Sequence, residues 1–246
     1  MWCYPPANLA ISNREVHLWR ANLDLSTQEV EKLATYLSDD ELARASRFYF
    51  DRDRRRFVVG RGRLRQILAG YVQRKPATLE FVYTEKGKPS LKDRGNYGQL
   101  VFNLSHSQEL VVYAVSCDRA IGIDLEYLRS LPDAEKLAQR FFSPQEAAII
   151  NSLPPENRQL AFFYAWTSKE AYLKATGEGI TKLTDVEVSV SLTAPAMLLS
   201  IDGSQTLVNR WSLQRLTPAP NYVATLAVEG SDWELNYFQL FSEITH

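Results

Sequence analysis

The chain has 246 residues, 45% of them apolar, and 28 Lys and Arg against 29 Asp and Glu give a formal charge of -1. That is enough apolar material for one large domain or two small ones, while the balanced charge removes the global case for a nucleic-acid partner and makes any cationic site local. Two distant cysteines, Cys3 and Cys117, and three histidines make neither a zinc cluster nor a disulfide framework; with no signal peptide and no long apolar run, the expectation is a soluble cytoplasmic protein with no membrane partner.

Glu15 to Trp19 alternates with a period of two and predicts a strand. Ser26 then caps a helix with Glu29 in the capping-box position, and Ser38 precedes a second acidic helix start at Asp39-Asp40-Glu41. From about Asp51 to Tyr71, Phe57, Leu64, Leu68 and Tyr71 share one helical face, and nine arginines fall between Arg44 and Arg65. A strand from Leu79 to Tyr83 runs into an exposed loop, Glu85-Lys86-Gly87-Lys88-Pro89, carrying two lysines. Val101 to Leu104 is a strand leading to Ser105-His106-Ser107, and Leu110 to Ser116 and Ile121 to Glu126 are two more, parted by a turn at Cys117-Asp118-Arg119.

Further on, a helix is expected from about Asp133 to Arg140, another from the capping sequence Ser143-Pro144-Gln145-Glu146 to the break at Pro154-Pro155, and a long aromatic-rich one from Arg158 to Thr176, stopped by Gly177. The remainder, from Asp185, is mostly strands. This mixed order is that of an α+β fold with a break near Asp118 and no exact internal repeat.

The period of two puts Ile121, Ile123 and Leu125 on one face of their strand and Gly122, Asp124 and Glu126 on the other. Two carboxylates on one face repel unless a cation lies between them, and hard oxygen ligands suit Mg²⁺; the plain alternative is a solvated acidic face. Glu170 and Lys174, four apart, share a helix face one turn beyond Trp166. On their own they also read as an exposed ion pair, although Phe162, Phe163, Tyr164 and Tyr172 around them imply burial.

Gly122-Ile-Asp124-Leu-Glu126 followed by Trp166-Thr-Ser-Lys169-Glu170-Ala-Tyr-Leu-Lys174, with Gly87-Lys88-Pro89 and Phe102-Asn-Leu-Ser105-His106-Ser107 upstream, resembles the signature of the 4′-phosphopantetheinyl transferases. Length points to the long, surfactin-synthetase-activating type. The resemblance implies a monomer in which two similar α+β halves, residues 1–118 and 119–246, form a pseudo-dimer, each with a small antiparallel sheet packed against helices and one active site between them. It implies transfer of phosphopantetheine from coenzyme A, the substrate, to a serine of an apo acyl carrier protein or of a carrier domain in a polyketide or peptide synthase.

By the same resemblance Asp124, Glu126 and Glu170 bind magnesium, Glu170 is the candidate base for the incoming serine, and Asp124 and Lys174 act beside the phosphates. Ser105 and His106 match diphosphate contacts, Lys88 a nucleotide contact, and Arg44 and Arg55 the basic positions that hold the 3′-phosphate. Arg61 is a weaker candidate, and Glu41 stands where a well-known member type carries a lysine. Glu146 also matches a family segment, which implies a role near the site, with equal weight on a plain capping role at the start of its helix.

Overall fold

The computed structural model describes residues 1–93 and 99–240. Its N-terminal set is β1 (Glu15–Asn22), α1 (Thr27–Ala34), α2 (Asp39–Ala45), α3 (Asp51–Val72), β2 (Phe81–Tyr83), β3 (Pro89–Leu91), β4 (Leu100–Ser107) and β5 (Leu110–Cys117). The C-terminal set is β6 (Ile121–Tyr127), α4 (Ala134–Phe141), α5 (Pro144–Ser152), α6 (Pro155–Thr176), β7 (Val186–Val188), β8 (Leu198–Ile201), β9 (Trp211–Leu216) and β10 (Tyr222–Glu229), followed by β11 (Glu234–Leu240). Each set runs strand, three helices, four strands. The pairings repeat too: β1 and β4 flank β5 antiparallel, as β6 and β9 flank β10, and β2–β3 and β7–β8 are the matching hairpins. The fold is thus α+β with two similar halves, although no exact sequence repeat announces it.

β11 departs from the expected halves. It leaves the C-terminal set and pairs with β1, in parallel, as the edge of the sheet β11-β1-β5-β4, so this sheet is mixed and a division at residue 118 does not hold for the last strand. A parallel partner must arrive by a crossover, which the whole C-terminal half supplies.

Local chemistry sets the helix ends. Ser26 and Ser143 each accept from the third helical amide while Glu29 and Glu146 reach back to the cap amide. α6 begins at Pro155, ahead of the expected Arg158, because a proline in the first turn has no amide to leave unpaired. It ends at Gly177 in the left-handed region (φ 79), where a glycine carries no Cβ penalty.

Val59, Leu64 and Leu68 of α3 pack with Trp19 and Tyr113 in one core, Phe162, Phe163 and Leu173 of α6 build a second, and Val16, Leu18, Ile121, Ile123, Leu125 and Leu226 form a third between the two sheets. At about 25 cal/mol per Å² of buried apolar area, this shared third core makes the halves one cooperative body. No helix among the described residues is long and apolar enough to cross a membrane.

Candidate active site

The site starts from a glycine. Ile121, Ile123 and Leu125 point into the core between the sheets, so Gly122, Asp124 and Glu126 face α6 as the alternation predicts. A Cβ on Gly122 would stand 2.1 Å from the carbonyl oxygen of Ala171 and 2.3 Å from the amide nitrogen of Ala175, which is backbone against backbone and allows only glycine. That contact drops α6 onto β6 and places Lys174 beside Asp124: its Nζ lies 2.5 Å from Asp124 Oδ1 and 3.0 Å from Ser105 Oγ.

β4 closes the site from the other side. It and β6 are edge strands of separate sheets, and side chains take the place of ladder bonds between them: Asn103 Oδ1, Ser105 Oγ and Ser107 Oγ accept from the amides of Ile123 (2.9 Å), Leu125 (3.2 Å) and Tyr127 (3.1 Å). The period of two carries all three to the same face of β4. The two serines also donate to the carboxylates, Ser105 Oγ to Asp124 Oδ1 at 3.1 Å and Ser107 Oγ to Glu126 Oε2 at 3.4 Å. Ser105 is therefore buried and bound to the acids, while His106, the next residue, points to the other face and lines a groove.

Beneath α6, Thr167 and Ser168 bond to Thr225 on β10, and the buried Lys169 donates to Glu146 (2.6 Å) and to the carbonyls of Val186 (2.5 Å) and Leu183 (3.0 Å). Glu146 spends its oxygens on the α5 cap, on Lys169 and on the Val188 amide, so of its two readings the structural one describes the geometry. It braces the helix that carries Glu170.

Three partly desolvated carboxylates share one ammonium here. Burial, and then the charge of Asp124, push Glu170 up to about 7 against the pull of Lys174; burial and Asp124 likewise raise Glu126. Asp124 Oδ2 is buried without a hydrogen-bond partner. Hard oxygen donors, mutual repulsion and an unpartnered carboxylate oxygen fit a hard divalent cation. Among the described residues no group of three or more His, Cys, Asp or Glu side chains is gathered for a metal as it stands, and Lys174 takes up one Asp124 oxygen.

Beside this acidic centre, and bordering it at Ser107, lies a groove of about 590 Å³ lined by Arg44, Arg52, Arg56, Arg61, His106, Ser107 and Arg129, with Phe48, Phe57 and Tyr83 as apolar walls. Burial, then Lys174 and Arg56, keep His106 below its ordinary pKa. Arg44 lines this groove. Arg55 does not: its guanidinium donates to the Leu25 carbonyl (2.9 Å) and to Thr27, and Arg52 and Arg56 line the groove beside Arg44. Arg61 reaches the wall but is tied to Glu41 and Tyr83. Glu41 itself, gripped by Arg61 and Arg65 and 3% exposed, is a buried brace. The loop is exposed at Glu85, Lys86 and Gly87, but Lys88 within it is half-buried, its ammonium donating to the carbonyls of Ala175 (2.6 Å) and Ile121 (3.5 Å).

Arg52 and Arg56 were missed because a basic helix offers more arginines than one groove can face, and only α3's rotation selects among them; Arg129 lies past the end of β6, where no periodicity marks a face. Helical spacing held the signal for the pair, since Arg52 and Arg56 are four apart and share a face.

A family model described as the 4′-phosphopantetheinyl transferase superfamily matches residues 120–227, and one described as 4′-phosphopantetheinyl transferase, N-terminal, matches residues 21–118. The chain is 49% identical over 237 residues to the 4′-phosphopantetheinyl transferase HetI of Nostoc sp., covering 96% of this chain and 97% of that one. It is 34% identical to the transferase psf-1 of Bacillus pumilus, over 73% of this chain and 71% of that one. Against the transferase Sfp of Bacillus subtilis the identity is 29%, over 64% and 67%.

Proposed function

The chain belongs to the 4′-phosphopantetheinyl transferase superfamily, and from that membership we propose that it transfers the phosphopantetheine arm of coenzyme A to a serine hydroxyl of an apo acyl or peptidyl carrier protein, releasing adenosine 3′,5′-bisphosphate. The observation that carries this reading is that the arginine-lined groove borders the carboxylate cluster at Ser107, which lines the groove and donates to Glu126 at 3.4 Å: the groove suits a nucleotide with a 3′-phosphate, the carboxylates a diphosphate with a hard cation.

Arg44, Arg52 and Arg56 would take the nucleotide end, and His106 and Lys174 the diphosphate. Asp124, Glu126 and Glu170 would hold Mg²⁺, which when bound supplies charge neutralisation on the diphosphate. The serine oxygen forms a bond to the β-phosphorus as the bridging P–O bond breaks, the electron pair leaving with adenosine 3′,5′-bisphosphate. Glu170, on the helix face that turns toward the cluster, is the carboxylate assigned to accept the hydroxyl proton. Phosphoryl transfer asks chiefly for positioning and electrostatics, so no protein nucleophile is required. The carriers are those of fatty-acid, polyketide or peptide synthesis, and the enzyme works as a cytoplasmic monomer.

The test is the intact mass of an apo carrier after incubation with coenzyme A, Mg²⁺ and the protein. A gain of one phosphopantetheine, abolished by chelator and by Glu170→Gln, supports the reading; no gain on several apo carriers, with coenzyme A still bound, sinks it.

A further inference from the structure

The β2–β3 hairpin belongs to the N-terminal half, yet its tip lies on the C-terminal one. The turn is fixed by its own bonds: Thr84 N donates to Lys88 O (3.0 Å), Gly87 N to Thr84 O (2.8 Å), and Lys88 N to Thr84 Oγ1 (3.1 Å), with Gly87 at φ +82. Tyr83, Gly87 and Pro89 of this hairpin line the groove. Lys88 points the other way.

Its ammonium donates to Ala175 O in the last turn of α6 and lies 3.5 Å from Ile121 O at the start of β6. A helix C-terminus presents unpaired carbonyls and a partial negative charge, so a lysine is well suited there. Beside it Lys86 pairs with Glu178, just past the end of α6. The two elements bridged by Lys88 are the two that carry Asp124, Glu126, Glu170 and Lys174. Among the described residues no carboxylate is bonded to it, and burial draws it down to about 8.

We propose that Lys88 is a positioning residue: it straps a wall of the groove to α6 and β6, so that the geometry of the carboxylates depends on the hairpin that a groove ligand touches. This rests on the transfer reading for its consequence in turnover, and on contacts alone for its consequence in structure. It assigns Lys88 to the protein scaffold rather than to the nucleotide.

Lys88→Met keeps the stem and removes the ammonium. Three readouts apply to the full-length protein: peptide-level hydrogen exchange over residues 121–126 and 170–177, the dissociation constant for coenzyme A by calorimetry, and kcat at saturating coenzyme A. The expected result is faster exchange in both peptides and a kcat lowered about tenfold, as small misplacements of reacting groups produce, with coenzyme A affinity changed less than about threefold and Lys88→Arg restoring most of the loss. Weaker coenzyme A binding with exchange and kcat unchanged overturns the proposal in favour of a direct nucleotide contact, and no change in any readout overturns it as well. Should Lys88→Met fail to fold, the exposed pair serves: Lys86→Glu loosens the same peptides and Lys86→Glu with Glu178→Lys tightens them again, and a swap that does not restore protection overturns the strap. If the wild-type chain transfers nothing, the transfer reading has failed, and exchange still decides the strap.

Discussion

The two halves repeat one architecture but not one chemistry. α3 and α6 are both 22 residues long, both end in a left-handed cap, and the fifteenth residue of each is a buried cation, Arg65 and Lys169. Each cation grips the third-position glutamate of the preceding short helix, Arg65 Nε to Glu41 Oε2 and Lys169 Nζ to Glu146 Oε2, at 2.6 Å in both. Across the sheets Trp19 faces Tyr113 as Asp124 faces Thr225. In that register Asp124, Glu126, Glu170 and Lys174 correspond to Trp19, Ala21, Gln66 and Gly70. The brace is needed twice because each long helix must be anchored; the carboxylates appear once. Beside β1, moreover, β11 fills the edge that β6 leaves to the side chains of β4. One seam is sealed and the other is a site.

The largest effect expected from breaking this asymmetry is on turnover. Asp124→Asn and Glu170→Gln each lower phosphopantetheine transfer about 10³-fold, the scale on which removing one preorganised electrostatic group acts, with thermal melting nearly unchanged. Gln66→Glu, the same position in the other half, leaves transfer within about twofold. Carrier mass shift over time checks both, and a comparable loss from the Gln66 variant would mean that the halves are not chemically distinct.

The braces come next. Removing one partner of a buried pair typically costs about 3–5 kcal/mol, so Glu41→Ala and Glu146→Ala both lower urea midpoints sharply. They differ in pH response. Arg61 and Arg65 keep their charge at any working pH, whereas burial already draws the Lys169 pKa down and loss of Glu146 draws it further. A lysine whose folded pKa is depressed binds fewer protons folded than unfolded, so Glu146→Ala regains stability as pH rises toward 9 while Glu41→Ala does not. Parallel curves would mean that Lys169 is not the group left stranded.

A smaller contrast separates the two serine caps. Ser143 Oγ accepts only the Glu146 amide, and Ser143→Ala costs about 1 kcal/mol. Ser38 Oγ instead accepts from Arg65 Nη2 at 3.0 Å. Ser38→Ala leaves that buried guanidinium one acceptor short and costs about 1–3 kcal/mol. Equal losses in urea unfolding would make the Arg65 bond dispensable.

Much of this was legible before any coordinates. Caps at Ser26 and Ser143, the stop at Gly177 and the alternation through Ile121 to Glu126 are local signals, and each gave its element to within a few residues. The acidic residues could be placed because period and spacing put them on faces. Lys88, Arg55 and Glu41 could not, since their partners lie far along the chain: Ala175 for Lys88, Leu25 for Arg55, Arg61 and Arg65 for Glu41. A charged side chain in a loop or a basic helix carries no local mark of which way it turns. β11 escaped for the same reason, because nothing in Glu234–Leu240 states that its partner is β1.

The last contrast is at the position of Gly122. Its counterpart in β1 is His17, 3% exposed, with Nδ1 2.7 Å from the Tyr71 hydroxyl, which also accepts from Trp19 Nε1 at 3.0 Å. With the indole bonded to its oxygen, the hydroxyl is free to donate its proton to Nδ1 of a neutral His17 ring. Burial holds His17 below its ordinary 6.5, only partly opposed by Glu15. The unfolded chain therefore takes up a proton first as the pH falls, and the stability His17 contributes, full above about 6.5, is lost on the way down to its folded pKa, about 1.4 kcal/mol for each unit of depression. Glu170, raised to about 7, works with the opposite sign over the same range. Urea midpoints of wild type and His17→Gln between pH 5 and 7 separate the two: the variant loses less stability on acidification. If its slope matches the wild type, the buried histidine is not an acid-sensitive point of the N-terminal half.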